Sequence, residues 1–355
     1  MKILFSGGGT LGPVTPLLAI YENIKDLEEA EFLWVGTKNG PEEQLIQQAG
    51  IRFLSFPASK LRRYFSLETF ADIFVFVAAL FQSIILLRKE KPDLCISTGG
   101  YVSVPLHWVA RFFGIPTWIH QQDVVVGLAN RLMAPTATLI TVALESSLSK
   151  FPKEKTRLLG NPVRPSIFAS SKEQAIKIFS LEPDLPVIFA TGGGTGSEKI
   201  NMLIAQVALE LDDTVQIIHL TGKERKTIQP TTPLRHYHTF EFLDVDMASA
   251  YAAAEIVISR GGFGTLSELS ALQKAAVIIP KSGQQEENIQ WCANAGAVLS
   301  CNENTITSLE LADKIRELLH DASVRQRLGS TLSRLIPIAT KENIRNMITL
   351  LCKRK

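Results

Sequence analysis

Four glycine-rich turns, each following a short apolar run, are the chemically suggestive features of this sequence. Ile3-Leu4-Phe5 leads into Gly7-Gly8-Gly9-Thr10-Leu11-Gly12, and Ile188-Phe189-Ala190-Thr191 leads into Gly192-Gly193-Gly194-Thr195-Gly196-Ser197. Ser97-Thr98-Gly99-Gly100-Tyr101 and Ser259-Arg260-Gly261-Gly262-Phe263-Gly264-Thr265 are the other two. Glycine lets a backbone approach a ligand closely, and the amides at a following helix start favour an anion. Diphosphate is therefore the expected ligand chemistry, with Gly194, Thr195 and Gly196 offering main-chain N–H groups. Gly7, Gly9 and Gly12 satisfy GxGxxG. The next strand, however, ends Val35-Gly36-Thr37-Lys38, without the carboxylate that a dinucleotide ribose needs. Neither GGG turn ends in GK[ST], which disfavours a P-loop ATPase.

Glu268 follows the fourth turn, within about the first turn of the helix expected there. A carboxylate so placed can accept bonds from two vicinal hydroxyls, such as those of a ribose, or can simply complement the helix dipole. Asp244-Val245-Asp246 matches the DxD pattern that holds metal–nucleotide complexes. Just before Met247-Ala248-Ser249 it reads better as a helix cap, and no metal site is expected. Of the six histidines, His120 ends a strand beside Gln121-Gln122-Asp123 and is expected to face a cleft. Cys95, Cys292, Cys301 and Cys352 form no CxxC pair and no zinc spacing, and read as reduced thiols.

The elements that must carry these turns are short β-branched or aromatic runs alternating with helical patterns. The runs are Lys2–Ser6, Glu31–Val35, Arg52–Phe56, Asp93–Ser97, Thr117–His120 and Thr138–Ala143, then Val187–Thr191, Val215–Leu220, Glu255–Ser259 and Ala276–Pro280. They lack clean alternation, as strands buried on both faces of a parallel sheet do. The class is α/β. Gly7 and Gly192 stand 185 residues apart, about half of the 355-residue chain, and this repeat implies two Rossmann-like domains. The expected division is 1–160, 161–336 and a last helix at 337–355 that packs back on the first domain. The formal charge of +2 argues against bulk nucleic-acid binding. The N-terminal apolar stretch, stopped at once by glycines, does not read as a signal peptide.

Mean hydropathy is high, at +0.13, and the excess concentrates at residues 73–87, IFVFVAALFQSIILL. Fifteen residues fall short of the roughly 20 that span a bilayer. Flanked by Arg62, Arg63, Arg88 and Lys89, the run reads either as a helix lying on an anionic membrane or as an unusually apolar core helix. Trp108, Phe112 and Phe113 would widen the same surface.

The ordered series GGGTxG, TGGYVSVP, HQQDxxxGLANR, GNPVR, GGGTGSxKIN, SRGGFGTLSEL and QQEEN resembles the MurG family of glycosyltransferases over roughly residues 1–300. The resemblance implies a GT-B fold, two Rossmann-like domains with parallel sheets facing a cleft. It implies inverting transfer of GlcNAc from UDP-GlcNAc to the 4-hydroxyl of the MurNAc sugar of lipid I, giving lipid II for peptidoglycan. It also implies a peripheral position at the cytoplasmic face of the membrane, and no cofactor. Carried over residue by residue, Glu268 would hold the ribose, the 194–196 loop the diphosphate, and Leu243 the uracil through its backbone. Arg164, Thr265, Gln284, Gln285 and Asn130 complete the implied donor site. Thr10, Gly12, Gly99, Gly100 and Tyr101 would face the acceptor and its diphosphate.

Three positions depart from the family pattern. Pro13 stands where the family has a histidine, Gln121 where it has a glutamate, and Asp123 where it has an asparagine. One carboxylate is lost and another gained within three residues. Asp123 is accordingly the expected general base, with His120 second. The alternatives are a related GT-B transferase with another sugar nucleotide or lipid acceptor, and a catalytically inactive UDP-binding relative.

Overall fold

In the computed structural model, residues 1–56, 67–194, 196–211, 213–222, 234–243, 246–281 and 283–352 are described, with backbone only at 67–73 and 284. The chain separates into two compact units, Met1–Arg164 with Ile338–Lys355, and Pro165–Pro337.

The first unit is a seven-stranded sheet of β1 (Lys2–Ser6), β2 (Glu31–Thr37), β3 (Arg52–Phe56), β4 (Leu94–Ser97), β5 (Thr117–Gln121), β6 (Leu139–Val142) and β7 (Thr156–Leu158), in the order β3-β2-β1-β4-β5-β6-β7. Every pairing is parallel. The intervening helices are α1 (Val14–Ile24), α2 (Glu42–Gln48), α3 (Leu67–Glu90), α4 (Ser103–Phe112) and α5 (Leu128–Met133). Both faces of the sheet are covered, which is why the strands read as continuous apolar runs. Ile3 and Phe5 pack under α1 with Leu17, Ile20 and Ile24, while Leu4 points the other way, towards Ala79, Leu87 and Leu106 of α3 and α4.

A short strand β8 (Asn161–Pro162) leads into the second unit. There α6 (Lys172–Phe179) is followed by β9 (Val187–Thr191), α7 (Glu198–Glu210), β10 (Gln216–Leu220), β11 (Tyr237–Phe240), α8 (Met247–Ala253) and β12 (Ile256–Ser259). Then come α9 (Phe263–Ala271), β13 (Ala275–Ile278), α10 (Gln284–Asn294), β14 (Leu299–Ser300), α11 (Ser308–His320) and α12 (Ala322–Leu335). The six-stranded sheet runs β11-β10-β9-β12-β13-β14, again all parallel. The chain then returns to the first unit. Strand β15 (Ile338–Ala339) pairs with β8, and α13 (Lys341–Cys352) lays Ile344, Ile348 and Leu351 against the α1 core. Lys341 and Arg345 both reach Asp26, at 2.8 and 2.5 Å, and hold its carboxyl down at about 2.

Strand order reverses direction between β1 and β4 in one sheet and between β9 and β12 in the other. Ligands of open α/β sheets sit outside the carboxyl ends of strands at such switch points. The four glycine turns lie there, two per unit. Strands β7, β11 and β14 are not among the runs legible in the sequence, because they are short and lie at sheet edges. The half-buried residues of β11, Tyr-His-Thr-Phe, carry little apolar signal.

Candidate active site

In the second unit the β9–α7 turn folds back tightly on itself. A Cβ on Gly192 would come within 2.3 Å of the Ser197 nitrogen, so only glycine fits. Gly193 and Gly196 both have positive φ, and the Gly196 amide donates to the Gly193 carbonyl at 3.0 Å. That amide is thus spent inside the turn, while Gly194 is exposed at its tip. Thr195 lies outside the described residues. Ser197 caps α7 by accepting from the Ile200 amide at 3.3 Å, and Arg260 donates to the Ser197 hydroxyl at 2.5 Å. Arg260 also ion-pairs with Glu303. Arg260 thereby ties the two glycine turns of this unit together. The Ser259–Thr265 motif places Arg260 in the turn, but its bonds to Ser197 and Glu303 are visible only in the fold.

The second turn of the pair opens α9. Gly261, at φ +71°, lies so close to Ile278 and Ile289 that a Cβ would meet both within about 2.5 Å. Glu268 sits in the second turn of α9, not the first, so the helix-dipole reading loses its basis. Its carboxylate accepts from the hydroxyl of buried Tyr251 at 2.9 Å. Gln285 on α10 places its amide nitrogen beside Gly262, and its buried Oε1 has no hydrogen-bond partner. The side chain of Gln284 lies outside the described residues. Thr265 is half-buried in the first turn of α9, and Leu243 is buried in the loop before α8. Asp244 and Val245 also lie outside the described residues. Asp246 occupies the cap position of α8 but makes no side-chain capping bond. Among the described residues, no cluster of His, Cys, Asp and Glu could hold a metal ion.

In the first unit the turns after β1 and β4 pack on one another. A Cβ on Gly100 would stand 3.1 Å from the Gly8 carbonyl, and one on Gly9 would enter the Tyr101 ring. Ser103 donates to the Ser6 and Gly99 carbonyls at 2.9 and 3.1 Å, and Thr98 donates to the Pro13 carbonyl. Pro13 occupies the cap position of α1. Thr10 and Gly12 are exposed, and Tyr101 is half-buried, its phenol pushed up by burial and then by the charge of Glu42.

His120 and Asp123 are placed very differently. The His120 ring is wholly buried, with Nδ1 against the Thr141 hydroxyl at 2.9 Å and Nε2 against Asn161 Oδ1 at 3.1 Å. Asn161 Oδ1 can only accept, so the ring keeps its proton on Nε2, and Nδ1 accepts from the Thr141 hydroxyl, which itself accepts from the Trp118 indole. Burial lowers its pKa to about 4. Such a ring is a neutral strut, with no nitrogen turned to a substrate. Asp123 is half-exposed in the β5–α5 loop. That loop is shaped by Gln121, whose amide nitrogen donates to the Asp123 and Val125 carbonyls at 2.9 and 3.1 Å. A glutamate has no hydrogen to donate there, which gives the Gln121 departure a physical reason. Asn130 in turn donates to Gln121 Oε1 and the His120 carbonyl, leaving its own Oδ1 buried beside Gly99. Arg164 is half-buried and is the last residue of the first unit before the chain enters the second.

Helix α3 carries an exposed apolar stripe. Phe74, Phe81 and Ile85 are 75%, 64% and 66% exposed, Val77 lies between them, and Arg88 and Lys89 close its C-terminal end. The 3.6-residue period puts these residues on one face. Phe112 at the end of α4 is 84% exposed. Trp108 turns inward instead, donating to the Leu132 carbonyl and meeting the half-buried Phe76 ring edge-on at 5.6 Å. Phe113 lies beneath Arg88. Arg62 and Arg63 lie outside the described residues. No described helix is long and apolar enough to cross a membrane.

Against known proteins, residues 3–142 match the N-terminal domain of glycosyltransferase family 28, and residues 187–334 match its C-terminal domain. A UDP-N-acetylglucosamine–N-acetylmuramyl-(pentapeptide) pyrophosphoryl-undecaprenol N-acetylglucosamine transferase of Clostridium kluyveri is 35% identical over 322 residues, covering 89% of this chain and 91% of the relative. Its namesake in a Thermoanaerobacter species is 33% identical, covering 98% and 99%. Among solved structures, Acinetobacter baumannii MurG superposes with a TM-score of 0.73 at 21% identity over 99% of both chains. A UDP-GlcNAc 2-epimerase from Neisseria meningitidis, bound to UDP-GlcNAc, reaches 0.70 at 16% identity, with 99% of this chain and 100% of that one covered. At those identities the structures speak for the GT-B fold alone. The two matched domains and the length and identity of the sequence matches establish that the chain belongs to glycosyltransferase family 28, in its MurG branch.

Proposed function

We propose that the chain transfers N-acetylglucosamine from UDP-GlcNAc to the 4-hydroxyl of the muramyl sugar of a polyprenyl-pyrophosphoryl N-acetylmuramyl peptide, with inversion, in peptidoglycan synthesis. The observation that carries this reading furthest is the Glu268 carboxylate, fixed by Tyr251 on a glycine-led helix at the switch point of the second sheet. Two vicinal ribose hydroxyls are the donors such a carboxylate accepts.

In this reading the second unit takes the donor. Glu268 holds the ribose, the backbone at Leu243 reads the uracil, and Gln284, Gln285 and Thr265 meet the sugar and its phosphate. The turn at residues 194–196, the start of α7 and Arg164 meet the diphosphate. The first unit takes the acceptor through Thr10, Gly12, Gly99, Gly100 and Tyr101, while Asn130 serves the donor. Asp123 removes the proton from the 4-hydroxyl as its oxygen bonds to C1 of GlcNAc. The C1–phosphate bond breaks on the opposite face, and UDP leaves with the electron pair. UDP is already a stable anion, so donors aimed at it are the larger effect, at about 3 kcal/mol per well-placed group. A base adds roughly 100- to 10,000-fold. No metal or cofactor is called for. The α3 stripe with Arg88 and Lys89 rests on the cytoplasmic face of an anionic membrane, where a lipid-borne acceptor is held.

A thermal-shift screen tests the donor assignment. Stabilisation follows mass action, about 2.7 kcal/mol at a ligand concentration of 100 times Kd. UDP and UDP-GlcNAc are expected to raise Tm, and dTDP-sugars to leave it unchanged. Equal shifts from dTDP-sugars would remove the uridine assignment.

A further inference from the structure

Glu42 is the first residue of α2, and its side chain is wholly buried. Oε1 accepts from the Thr37 amide at 2.6 Å and the Thr37 hydroxyl at 2.7 Å, and both oxygens lie 3.3 Å from the Gly9 amide. Three glycines make room for it. A Cβ on Gly8 would stand 2.0 Å from Oε1, one on Gly40 2.3 Å from Oε2, and one on Gly36 3.0 Å from Oε1. The Thr37 N–H, the Thr37 hydroxyl and the Gly9 N–H satisfy this buried carboxyl group, and among the described residues no cation pairs with it. Its bond to the Gly9 amide ties α2 to the loop at the switch point of the first sheet, so the side chain fixes that loop's backbone as well as its own helix start.

The carboxylate decides which way the first glycine turn faces. The Gly7 amide donates to the Val35 carbonyl and the Gly9 amide to Glu42, so both point inward. Exposed Thr10 and Gly12 are left on the outer side, and the Tyr101 ring is seated on Gly9. We propose that Glu42 is a positioning residue that sets the Gly8-Gly9 segment, and with it Thr10 and Tyr101, for the acceptor. This rests on the assignment of the first unit to the acceptor in the function proposed above.

Glu42→Gln is nearly isosteric. Its oxygen stays with Thr37, so its NH2 faces the Gly9 N–H, donor against donor. Glu42→Asp keeps the charge but falls one methylene short of Gly9. Both variants, checked for folding by circular dichroism and Tm, are assayed for steady-state transfer. The expected result is a rise of about tenfold or more in the acceptor KM, with the UDP-GlcNAc KM within about twofold. Glu42→Gln, with a buried donor set against the Gly9 N–H, is expected to lower Tm by a few degrees and still fold. An acceptor KM within twofold of the parent, both KM values rising together, or loss of folding in both variants would each reduce Glu42 to a structural residue. Parent protein that releases no UDP when the acceptor is added overturns the proposed function instead.

Discussion

The hydroxyl of Tyr251 donates to the carboxylate of Glu268 across 2.9 Å, joining α8 to α9 behind the turn that opens α9. Tyr251 is buried against Phe189 of β9, with ring centroids 5.2 Å apart and nearly perpendicular planes. The phenol is thus rigid, and it holds one carboxylate oxygen in a set direction.

Tyr251→Phe keeps the ring packing and removes the hydroxyl that donates to Glu268. A net hydrogen bond of about 1 kcal/mol predicts a three- to tenfold rise in the Kd for UDP, read by calorimetry, with Tm little changed. Glu268→Ala is expected to weaken UDP by at least tenfold more. An unchanged Kd in Glu268→Ala would remove the ribose contact.

Asp123→Asn tests the base. At saturating UDP-GlcNAc and acceptor, kcat is expected to fall by about 100-fold or more, with the UDP Kd unaltered. A rate within twofold of the parent would take the role away from Asp123. Gln121→Glu is the companion variant. It removes both donors to the Asp123 and Val125 carbonyls and is expected to lower kcat through the loop, without touching UDP binding.

The folded-state pKa of His120 is lowered to about 4, that of His219 to about 4 and that of His107 to about 3, each by burial. The unfolded chain takes up these protons near pH 6.5, before the folded protein does. Stability is therefore complete above about pH 6.5 and declines as pH falls towards 4. His120 alone accounts for roughly 3 kcal/mol of that decline. Urea unfolding from pH 7.5 to 4.5 is expected to show the decline, and His120→Gln to flatten it.

Much of the fold was legible because strands buried on both faces announce themselves as apolar runs, as Ile3-Leu4-Phe5 and Val187–Ala190 do. What stayed hidden depends on contacts between distant positions. Nothing around Glu42 forms a motif, since its partners Gly9 and Thr37 meet it only once β1, β2 and α2 are assembled. Arg260 lay within a quoted motif, yet its tie to Ser197 and Glu303 joins three loops. His120 sits at a strand end, where sequence suggests an open site, and only Thr141 and Asn161 closing over its two nitrogens make it a strut. Phe76 lies in the apolar run at 73–87, which the sequence leaves open between a membrane face and a core helix, and its ring turns in to Trp108.

The membrane surface is therefore tested at Phe81, on the exposed face of α3. Phe81→Glu, on the exposed stripe, is expected to cut binding to phosphatidylglycerol vesicles by at least tenfold in sedimentation, with Tm and UDP affinity unchanged. Unfolding of the variant would place the stripe in a core.

The most direct measurement is UDP release from UDP-GlcNAc by the purified chain, with and without polyprenyl-pyrophosphoryl N-acetylmuramyl pentapeptide in mixed micelles. Release that depends on that acceptor, together with a product carrying one added GlcNAc, is the predicted result. UDP binding with no acceptor-dependent release, or release equal in its absence, would contradict the account.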